Sequence, residues 1–285
     1  MSLRDDVITA GESLARKAGA NAIIVISPEA PAIRARLHTD IPVILARLEG
    51  MITAGPGARG ELEEIADRES LFLKVSRIEL MSEAVEAAYI RGKIRDGVVL
   101  GIVSIGDINS IVTFDLAGIP FIRKMADLAE SVDYGVLKAV LNVAIEIGRE
   151  GREGKSVGTA FVVGDTRHVM RMSHQLILNP YEGHGPGERD IKDEATWETV
   201  KEFAQLDGMF IVDELGYIVA AGRYLDVSAK GVRLVPGLGG RHLSAAAISL
   251  CTRSIAITVS ASSGTVTVYK AGKEVFQLNP RISIS

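Results

Sequence analysis

The sequence predicts an α/β protein with two domains, an N-terminal open α/β sheet domain at residues 1–125 and a second domain at residues 126–285. Three observations lead to this prediction. Short apolar runs alternate with helical patterns up to about residue 105. A long apolar-periodic stretch then ends in a glycine-rich segment at residues 148–155. From residue 157 onward, strand patterns joined by tight turns dominate.

The N-terminal domain begins with an amphipathic pattern at residues 5–18, which predicts a helix. Continuous apolar runs bounded by turn-forming residues are typical of strands buried on both faces. Such strands are predicted at residues 21–27, 41–46, 71–75 and 97–105, and a further helix at residues 80–91. This alternation of strands and helices indicates an open α/β sheet.

The C-terminal domain begins with one long predicted helix at residues 124–149. The patterns beyond it predict a strand, an amphipathic helix, two hairpins and an edge strand: residues 158–163, 196–206, 209–212 with 217–221, 255–259 with 265–269, and 274–278. The run at 255–259 alternates between two faces, so that Ser260 lies on the face opposite Ile257 and Val259.

Composition narrows the class of protein. The 285 residues suffice for two domains with proper cores, and 47% hydrophobic with 24% charged residues is typical of a globular chain. A net charge of −4 argues against a nucleic-acid or membrane-surface partner. Every apolar run is too short to span a membrane, and the sequence starts without a secretory leader, so we expect a cytoplasmic protein. The single cysteine, Cys251, excludes an internal disulfide and a cysteine-based zinc cluster.

Residues 236–249 are the most informative stretch of the sequence. Gly239 and Gly240 precede Arg241, His242 and a helix-forming run of small residues. Glycine lets backbone N–H groups approach an anion, and a helix N-terminus adds partial positive charge. Arg241 can bind two phosphate oxygens, and His242 can donate a hydrogen bond or bind a metal. The segment predicts a nucleotide-phosphate site; the alternative is an ordinary helix start with one surface arginine.

Two further positions fit such a site. Asp207 and Gly208 lie where a predicted helix meets a strand. A carboxylate there can bind a metal or a ribose hydroxyl, and the glycine lets a ligand come close. Ser260 ends a strand beside the tight turn at residues 262–265 and can donate its hydroxyl. Taken singly, Asp207-Gly208 is a helix end and Ser260 a turn serine.

A competing motif occurs in the first half. Residues 55–60 read Gly-Pro-Gly-Ala-Arg-Gly, a literal G-x-G-x-x-G. A dinucleotide-binding fingerprint should follow its strand directly, but residues 47–54 intervene here and Pro56 stiffens the loop. The pattern favours a linker turn, and a dinucleotide enzyme is the alternative. The sequence contains neither a Walker loop nor an H-E-x-x-H pair.

The order of the C-terminal motifs resembles the diadenylate cyclase domain. The motifs are Asp207-Gly208 with an apolar strand, Ala221-Gly222 followed by Leu225, Gly-Leu-Gly-Gly-Arg-His at 237–242, Val259-Ser260, and Ser263-Gly264-Thr265. Residues 154–165 and Asn179-Pro180 resemble the branch of that family found mainly in archaea. The resemblance covers about residues 126–285 and implies a mixed sheet flanked by helices. The N-terminal half resembles, more weakly, the C-terminal domain of pyruvate kinase.

The family's reaction joins two ATP molecules into cyclic di-AMP and releases two pyrophosphates. The resemblance implies that Asp207 helps to hold Mn²⁺ or Mg²⁺ and positions the attacking 3′-hydroxyl. It implies that Arg241 and His242 hold the phosphates, with His242 a second candidate metal ligand, and that Ser260 contacts the phosphates. Each site holds one ATP, so a homo-oligomer with catalytic domains face to face is implied.

The remaining binding residues follow from the same resemblance. Gly239 and Gly240 would offer backbone N–H groups to the phosphates, and Gly208 and Leu225 would line the nucleoside pocket. The resemblance leaves the ligand and role of the N-terminal domain open.

The sequence also departs from the common bacterial pattern of this family. Met209 stands where alanine is usual, Gly240 replaces threonine, and Leu243 replaces a second arginine. Ala261-Ser262 replaces the usual acidic pair. Losing one cation and two carboxylates bears on turnover more than on ligand class. The alternative function is therefore a catalytically weak or inactive sensor that binds ATP or cyclic di-AMP.

Overall fold

The computed structural model describes residues 3–48, 77–152, 155–233 and 238–285. The glycine motif at residues 55–60 and the strand predicted at 71–75 lie outside these ranges. The chain forms two compact units: one runs from the N-terminus to Ile122 and includes Arg281–Ser285, and the other is Arg123–Pro280. No helix within the described ranges combines the length and apolarity needed to cross a membrane.

The first unit is built on a five-stranded sheet with the order β12-β2-β1-β3-β4. Strands β1, β2 and β3 run parallel, whereas β4 and β12 are antiparallel to their neighbours. The elements of this unit are α1 (Leu3–Lys17), β1 (Ala20–Ile26), α2 (Ala30–Arg36), β2 (Val43–Leu48), α3 (Arg77–Ile90), β3 (Val98–Ile105), β4 (Ile108–Asp115) and β12 (Ile282–Ile284). The predicted open α/β sheet is confirmed, because every element predicted within the described residues is present with its ends shifted by a few residues.

Two strands of this sheet were not predicted. β4 carries polar residues on a largely half-exposed surface, so it lacks the continuous apolar run that marks β1 and β3. β12 lies at the other edge and pairs with β2, and Arg281 before it donates to the carboxylate of Glu83 at 2.7 Å. The last five residues thus belong to the first unit. The sequence had predicted that they belong to the second domain, at residues 126–285.

The second unit is built on a seven-stranded mixed sheet with the order β11-β10-β9-β5-β7-β8-β6. β5 and β7 are parallel and the other pairs are antiparallel. Its strands are β5 (Thr159–Val163), β6 (Ser173–Gln175), β7 (Met209–Val212), β8 (Ile218–Leu225), β9 (Ile255–Val259), β10 (Val266–Lys270) and β11 (Lys273–Leu278). Its helices are α5 (Tyr134–Glu150), α6 (Thr166–Arg171), α7 (Trp197–Phe203) and α8 (Gly240–Cys251). The mixed sheet with flanking helices is as expected, and β11 is an edge strand.

The long helix predicted at residues 124–149 was wrong, because the chain forms two helices there. α4 (Pro120–Ala129) ends before α5 begins, and Asp133 caps α5 by accepting a hydrogen bond from the Val136 N–H at 3.0 Å. An aspartate at this position satisfies an N–H that the first helical turn leaves without a partner. The apolar period runs across the break and so hides it.

The strands β5 and β9 are buried on both faces. The alternation at residues 255–259 therefore separates two packed faces, not a buried face from a solvated one. α8 packs against one of these faces, where Ala245 and Ala246 lie in a core cluster with Ala256 and Tyr269. β9 is antiparallel to β5, and β5 is parallel to β7. The last residues of β9 and the first residues of β7 therefore lie at the same end of the strands.

Candidate functional site

A cleft of about 530 Å³ opens where α8 begins and β9 ends. It is lined by residues 238–242 from the start of the helix and by residues 259–263 from the turn after the strand. The structure thus brings together two segments that sequence analysis had assigned to one site. Their meeting follows from the packing of α8 on β9 and β10.

Gly239 caps α8 and Gly240 opens its first turn. The carbonyl of Gly239 accepts hydrogen bonds from the N–H groups of His242 and Leu243, at 3.1 and 3.4 Å. The preceding N–H groups of a helix have no intrahelical acceptor, and the helix dipole places positive potential there. A Cβ added at Gly239 or Gly240 would meet open space, so neither glycine is required by packing. The helix start can therefore bind an anion.

The side chain of Asp207 contacts that of Arg241, one of the residues that line the cleft. Nη2 of Arg241 lies 3.4 Å from Oδ1 of Asp207, which also accepts the backbone N–H of Gly208 at 3.0 Å. The Arg241 side chain is 40% exposed and the Asp207 side chain is 79% exposed. An ion pair this open to water contributes little stability, so a ligand can redirect either partner at small cost.

His242 lies in the first turn of α8 and is buried, with 8% of its surface exposed. Its Nδ1 is 2.8 Å from the Tyr269 hydroxyl and 3.1 Å from the Thr258 hydroxyl. Burial lowers the pKa of His242 from its usual value, which favours the neutral ring. Tyr269 and Thr258 were not predicted as site residues from the sequence. Both are polar side chains on the faces of β9 and β10 that pack against α8. Polar residues within these strands were the sequence signal that could have indicated them.

Ser260 contributes its hydroxyl from the turn on the other side of the cleft. Its Oγ is 3.1 Å from the Ser262 hydroxyl, and its backbone pairs with Thr265 and Gly264 to close the turn. The turn packs closely on the residue that precedes β5, since a Cβ added at Gly158 would lie 2.8 Å from the Cβ of Ala261. The serine is therefore held in a fixed loop that faces the helix start.

Gly208 and Leu225 lie outside the residues that line the cleft. Gly208 has a φ of +101°, and a Cβ there would lie 2.5 Å from the carbonyl carbon of Gly222. A backbone constraint thus accounts for this glycine without a ligand. Leu225 is buried in the core cluster that also contains Met209 and Ala245. Their assignment to a nucleoside pocket stays a prediction.

A buried cation lies on α7. Lys201 is 6% exposed, and its amine is 3.2 Å from Glu146, 3.0 Å from Glu150 and 2.6 Å from Glu198. Burial acts to lower the pKa of Lys201, but the three carboxylates outweigh it and raise the pKa. The contacts with Glu146 and Glu150 join α7 to α5, whereas Glu198 lies on α7 itself. This cluster was not predicted, because a lysine in an amphipathic helix is usually solvated.

The residues present fit a divalent cation carried in with a nucleotide. Within the ranges that the structure describes, no three His, Cys, Asp or Glu side chains form a metal cluster. Mg²⁺ is usually held by one or two carboxylates together with substrate phosphates and water. The open carboxylate of Asp207 suits that role, beside a helix start that binds anions. A helix N-terminus, an arginine, a neutral histidine and a serine turn are groups that can bind phosphate, and nucleotide sites use groups of this kind.

Comparison with known proteins agrees with this class of site. Residues 146–274 match the family described as "DisA bacterial checkpoint controller nucleotide-binding", and residues 7–117 match a "Probable sensor domain", DacZ_A. A diadenylate cyclase of Methanocaldococcus jannaschii is 51% identical over 148 residues, which are 52% of this chain and 47% of that protein. A diadenylate cyclase of Haloferax volcanii is 41% identical over 148 residues, 52% of this chain and 54% of that protein.

Residues 146–274 therefore match a diadenylate cyclase domain, and the curated diadenylate cyclases that this chain resembles are archaeal. The recognition made from the motifs is confirmed, while the likeness of the first unit to pyruvate kinase stays a prediction. The chain spans about half the length of the curated relatives it matches.

Similar solved structures include DacA from Staphylococcus aureus and a hypothetical membrane spanning protein from Bacillus cereus. The first is 20% identical with a TM-score of 0.36, and covers 49% of this chain and 83% of its own. The second is 17% identical with a TM-score of 0.41, and the match covers 57% of this chain and 74% of that protein chain.

Proposed function

We propose that this protein is a metal-dependent diadenylate cyclase that converts two ATP into cyclic di-AMP and two pyrophosphates. One observation carries the proposal beyond family membership. Arg241 and His242, at the start of α8, face Ser260 across one cleft, and the carboxylate of Asp207 lies 3.4 Å from Arg241. Together they would supply a phosphate site and a carboxylate, the groups that the reaction of two nucleotides needs.

In the proposed reaction, the 3′-hydroxyl of each ATP attacks the α-phosphorus of the other. A P–O bond forms to the 3′-oxygen, the bond to the β-phosphate breaks, and pyrophosphate leaves. Asp207 accepts a hydrogen bond from the attacking hydroxyl and orients it. Arg241, the helix N–H groups and Ser260 bind phosphate oxygens and offset their charge. Asp207 and the phosphates would hold Mn²⁺ or Mg²⁺, which would supply further charge neutralisation.

This chemistry needs no covalent nucleophile on the protein. Phosphoryl transfer depends mainly on alignment and on neutralisation of charge. The residues around the cleft offer both, and the lone Cys251 lies at the far end of α8. A free, exposed cysteine also fits the reducing cytoplasm, where ATP is available.

The reaction implies a homo-oligomer with catalytic units face to face. One site holds one ATP, but cyclic di-AMP contains two phosphodiester bonds, so two sites must meet. The high exposure of Asp207 and Arg241 supports this arrangement, because a second nucleotide has to reach them. We expect no nucleic-acid or membrane partner, in keeping with the net charge of −4.

The test is direct. Purified full-length protein is incubated with ATP and either Mn²⁺ or Mg²⁺, and cyclic di-AMP and pyrophosphate are measured by chromatography and a coupled assay. We expect one cyclic di-AMP and two pyrophosphates for two ATP consumed. A folded oligomer that forms no product with either metal would show the proposal to be wrong.

A second candidate is a sensor that binds ATP or cyclic di-AMP without turnover. It is favoured by Leu243, which is 38% exposed beside Arg241 at a position where the family usually has a second arginine. Ala261 and Ser262, in place of an acidic pair, favour it further. Tight ATP binding measured by calorimetry, without pyrophosphate release, would support this candidate over the enzyme.

A further inference from the structure

The pair Asn179-Pro180 contacts β8 just beyond the end of β6. We infer that Asn179 is a positioning residue: its side-chain amide, together with that of Gln175, holds a β-bulge in β8 on which the backbone of Asp207 rests. The role of the Asp207 carboxylate in the reaction rests on the proposed function, whereas the support of its backbone does not.

The bulge lies where β8 passes Asp207 and Gly208. Between two successive pairs of the β7–β8 ladder, β8 contains Ala221 and Gly222 where β7 contains Phe210 alone. Gly222 has a φ of +70°, and a Cβ added at Gly208 would lie 2.5 Å from its carbonyl carbon. A Cβ added at Gly222 would in turn lie 3.5 Å from the backbone oxygen of Asp207. A bulge changes the direction of its strand, so the path of the backbone at Asp207 depends on the shape of this one.

The side chain of Asn179 takes the place of a strand residue at the edge of the bulge. Its Nδ2 donates to the carbonyl oxygen of Val219 at 3.1 Å, and its Oδ1 accepts the N–H of Ala221 at 3.2 Å. The same oxygen accepts the N–H of Tyr181 at 3.1 Å, which closes a turn over Pro180. Backbone groups therefore fix the orientation of the amide. A carboxylate of the same shape could not donate, so the position needs the amide of asparagine.

Gln175 holds the same bulge through a second amide. Its Nε2 donates to the carbonyl oxygen of Ala221 at 2.6 Å and lies 3.4 Å from that of Gly222. Ile177 covers the bulge, since a Cβ added at Gly222 would lie 2.5 Å from its Cγ1. The two amides thus bond the N–H and the carbonyl of Ala221. Backbone groups at the edge of a strand are costly to leave without partners, so these bonds keep the bulge in one shape.

The consequence for the proposed reaction concerns alignment. Asp207 would orient the attacking 3′-hydroxyl, whereas Arg241 and Ser260 would bind phosphate from α8 and from the turn after β9. Loss of the Asn179 amide should displace Asp207 and leave the phosphate-binding groups in place. Because misalignment slows the chemical step more than it weakens substrate binding, Asn179 should affect kcat more than KM.

The displacement can be measured without any turnover. Full-length protein is labelled with ¹³C on the carbonyl carbon of aspartate and ¹⁵N on glycine, so that NMR selects glycines that follow aspartate. The sequence contains two such pairs, Asp96-Gly97 and Asp207-Gly208, and Asp207→Asn identifies the second by removing its signal. In Asn179→Ala we expect the Gly208 signal to shift or broaden, and that of Gly97, in the first unit, to stay unchanged. An unchanged Gly208 signal, or an equal change at Gly97, overturns the inference.

Asn279→Ala is the matched control. Asn279 also precedes a proline in the second unit, but it is exposed. Its substitution should leave the Gly208 signal unchanged, and a shift as large as that in Asn179→Ala would show a general effect and overturn the inference. Gln175→Ala is the second variant, for use if Asn179→Ala does not fold. It removes a different bond to the bulge and should also shift the Gly208 signal, so an unchanged signal there would overturn the inference too.

Kinetics separates a positioning role from a loss of stability. In Asn179→Ala we expect kcat for cyclic di-AMP synthesis to fall about tenfold, while KM for ATP changes by less than about twofold. An unchanged kcat, or a change confined to KM, overturns the inference. If the wild type makes no cyclic di-AMP but the Gly208 signal responds as expected, the proposed function fails while the support of the Asp207 backbone by Asn179 stands.

Discussion

The carboxylate of Asp207 and the guanidinium of Arg241 lie 3.4 Å apart, although 34 residues separate them in the sequence. Asp207 precedes β7 and Arg241 lies in the first turn of α8, so the contact depends on the helix packing over the sheet. The pair holds opposite charges at the edge where metal and phosphate would be bound. Under the proposed function, Asp207 would exchange Arg241 for a metal ion, and Arg241 would exchange Asp207 for a phosphate group.

Asp207→Asn should abolish cyclic di-AMP synthesis while the protein remains folded. The amide keeps the shape of the side chain but loses the charge that would hold a divalent metal and orient the 3′-hydroxyl. Because Asp207 is largely exposed, the free energy of unfolding should change by no more than about 0.5 kcal/mol. Product formation and urea unfolding are measured on the same preparation. Asp127→Asn, an exposed aspartate on α4, serves as the control, and retained synthesis in Asp207→Asn would remove this residue from the mechanism.

Leu243→Arg should strengthen ATP binding. The leucine is exposed in the first turn of α8, two residues after Arg241, and the proposed function expects a second cation at this position to reach phosphate oxygens. One charge-assisted hydrogen bond in a partly exposed site is expected to improve affinity about tenfold. Calorimetry with ATP at two salt concentrations measures the gain, which should shrink at high salt.

Leu250→Arg is the matched control for this change. It adds the same charge to an exposed leucine of the same helix, near its other end. If both variants bind ATP more tightly by the same factor, the gain comes from the net charge of the protein and not from the position of Leu243.

Most of the fold could be predicted from the sequence because its strongest signals are local. The continuous apolar runs of β1 and β3 and the hairpin of β7 and β8 are visible without tertiary information. β4 was missed because its surface is mixed, and the break at Asp133 because apolar periodicity continues through it. The pairing of β12 with β2 joins residues 240 apart and leaves no local pattern.

The candidate site shows the same division. The glycines, Arg241 and His242 form a local motif, so a phosphate site could be recognised from the sequence. The contact of His242 with Tyr269 and Thr258 could not, because it depends on which faces of two strands lie under α8. The reason for Gly208 was also non-local, since its neighbour is the backbone of Gly222.

Gly208→Ala should destabilise the second unit by about 2–3 kcal/mol, because a non-glycine residue is strained at a φ of +101° and its Cβ would collide with the Gly222 backbone. Gly239→Ala is the matched control, since that residue has a φ of −73° and open space around the added Cβ. Urea unfolding of both variants measures the difference. Equal stability of the two would contradict the backbone explanation for Gly208.

Lys201→Met should destabilise the protein by about 3 kcal/mol at neutral pH, because it leaves three carboxylates close together without their shared cation. The free energy of unfolding is measured by urea at several pH values. Lys230→Met, which removes an exposed lysine, is the control and should have little effect at any pH.

The loss caused by Lys201→Met should itself depend on pH, with a predictable sign. The hydrogen bond from Lys201 lowers the pKa of Glu198, and hydrogen bonds from Arg149 and Lys201 overcome burial to lower that of Glu150. A carboxylate with a lowered pKa stabilises the fold above its usual pKa of about 4.3, and this contribution is lost as pH falls through the lowered value. The variant lacks most of that contribution, so the gap between wild type and variant should narrow below about pH 4. A gap that stays constant from pH 7 to pH 3 would show that Lys201 acts through packing and not through its charge.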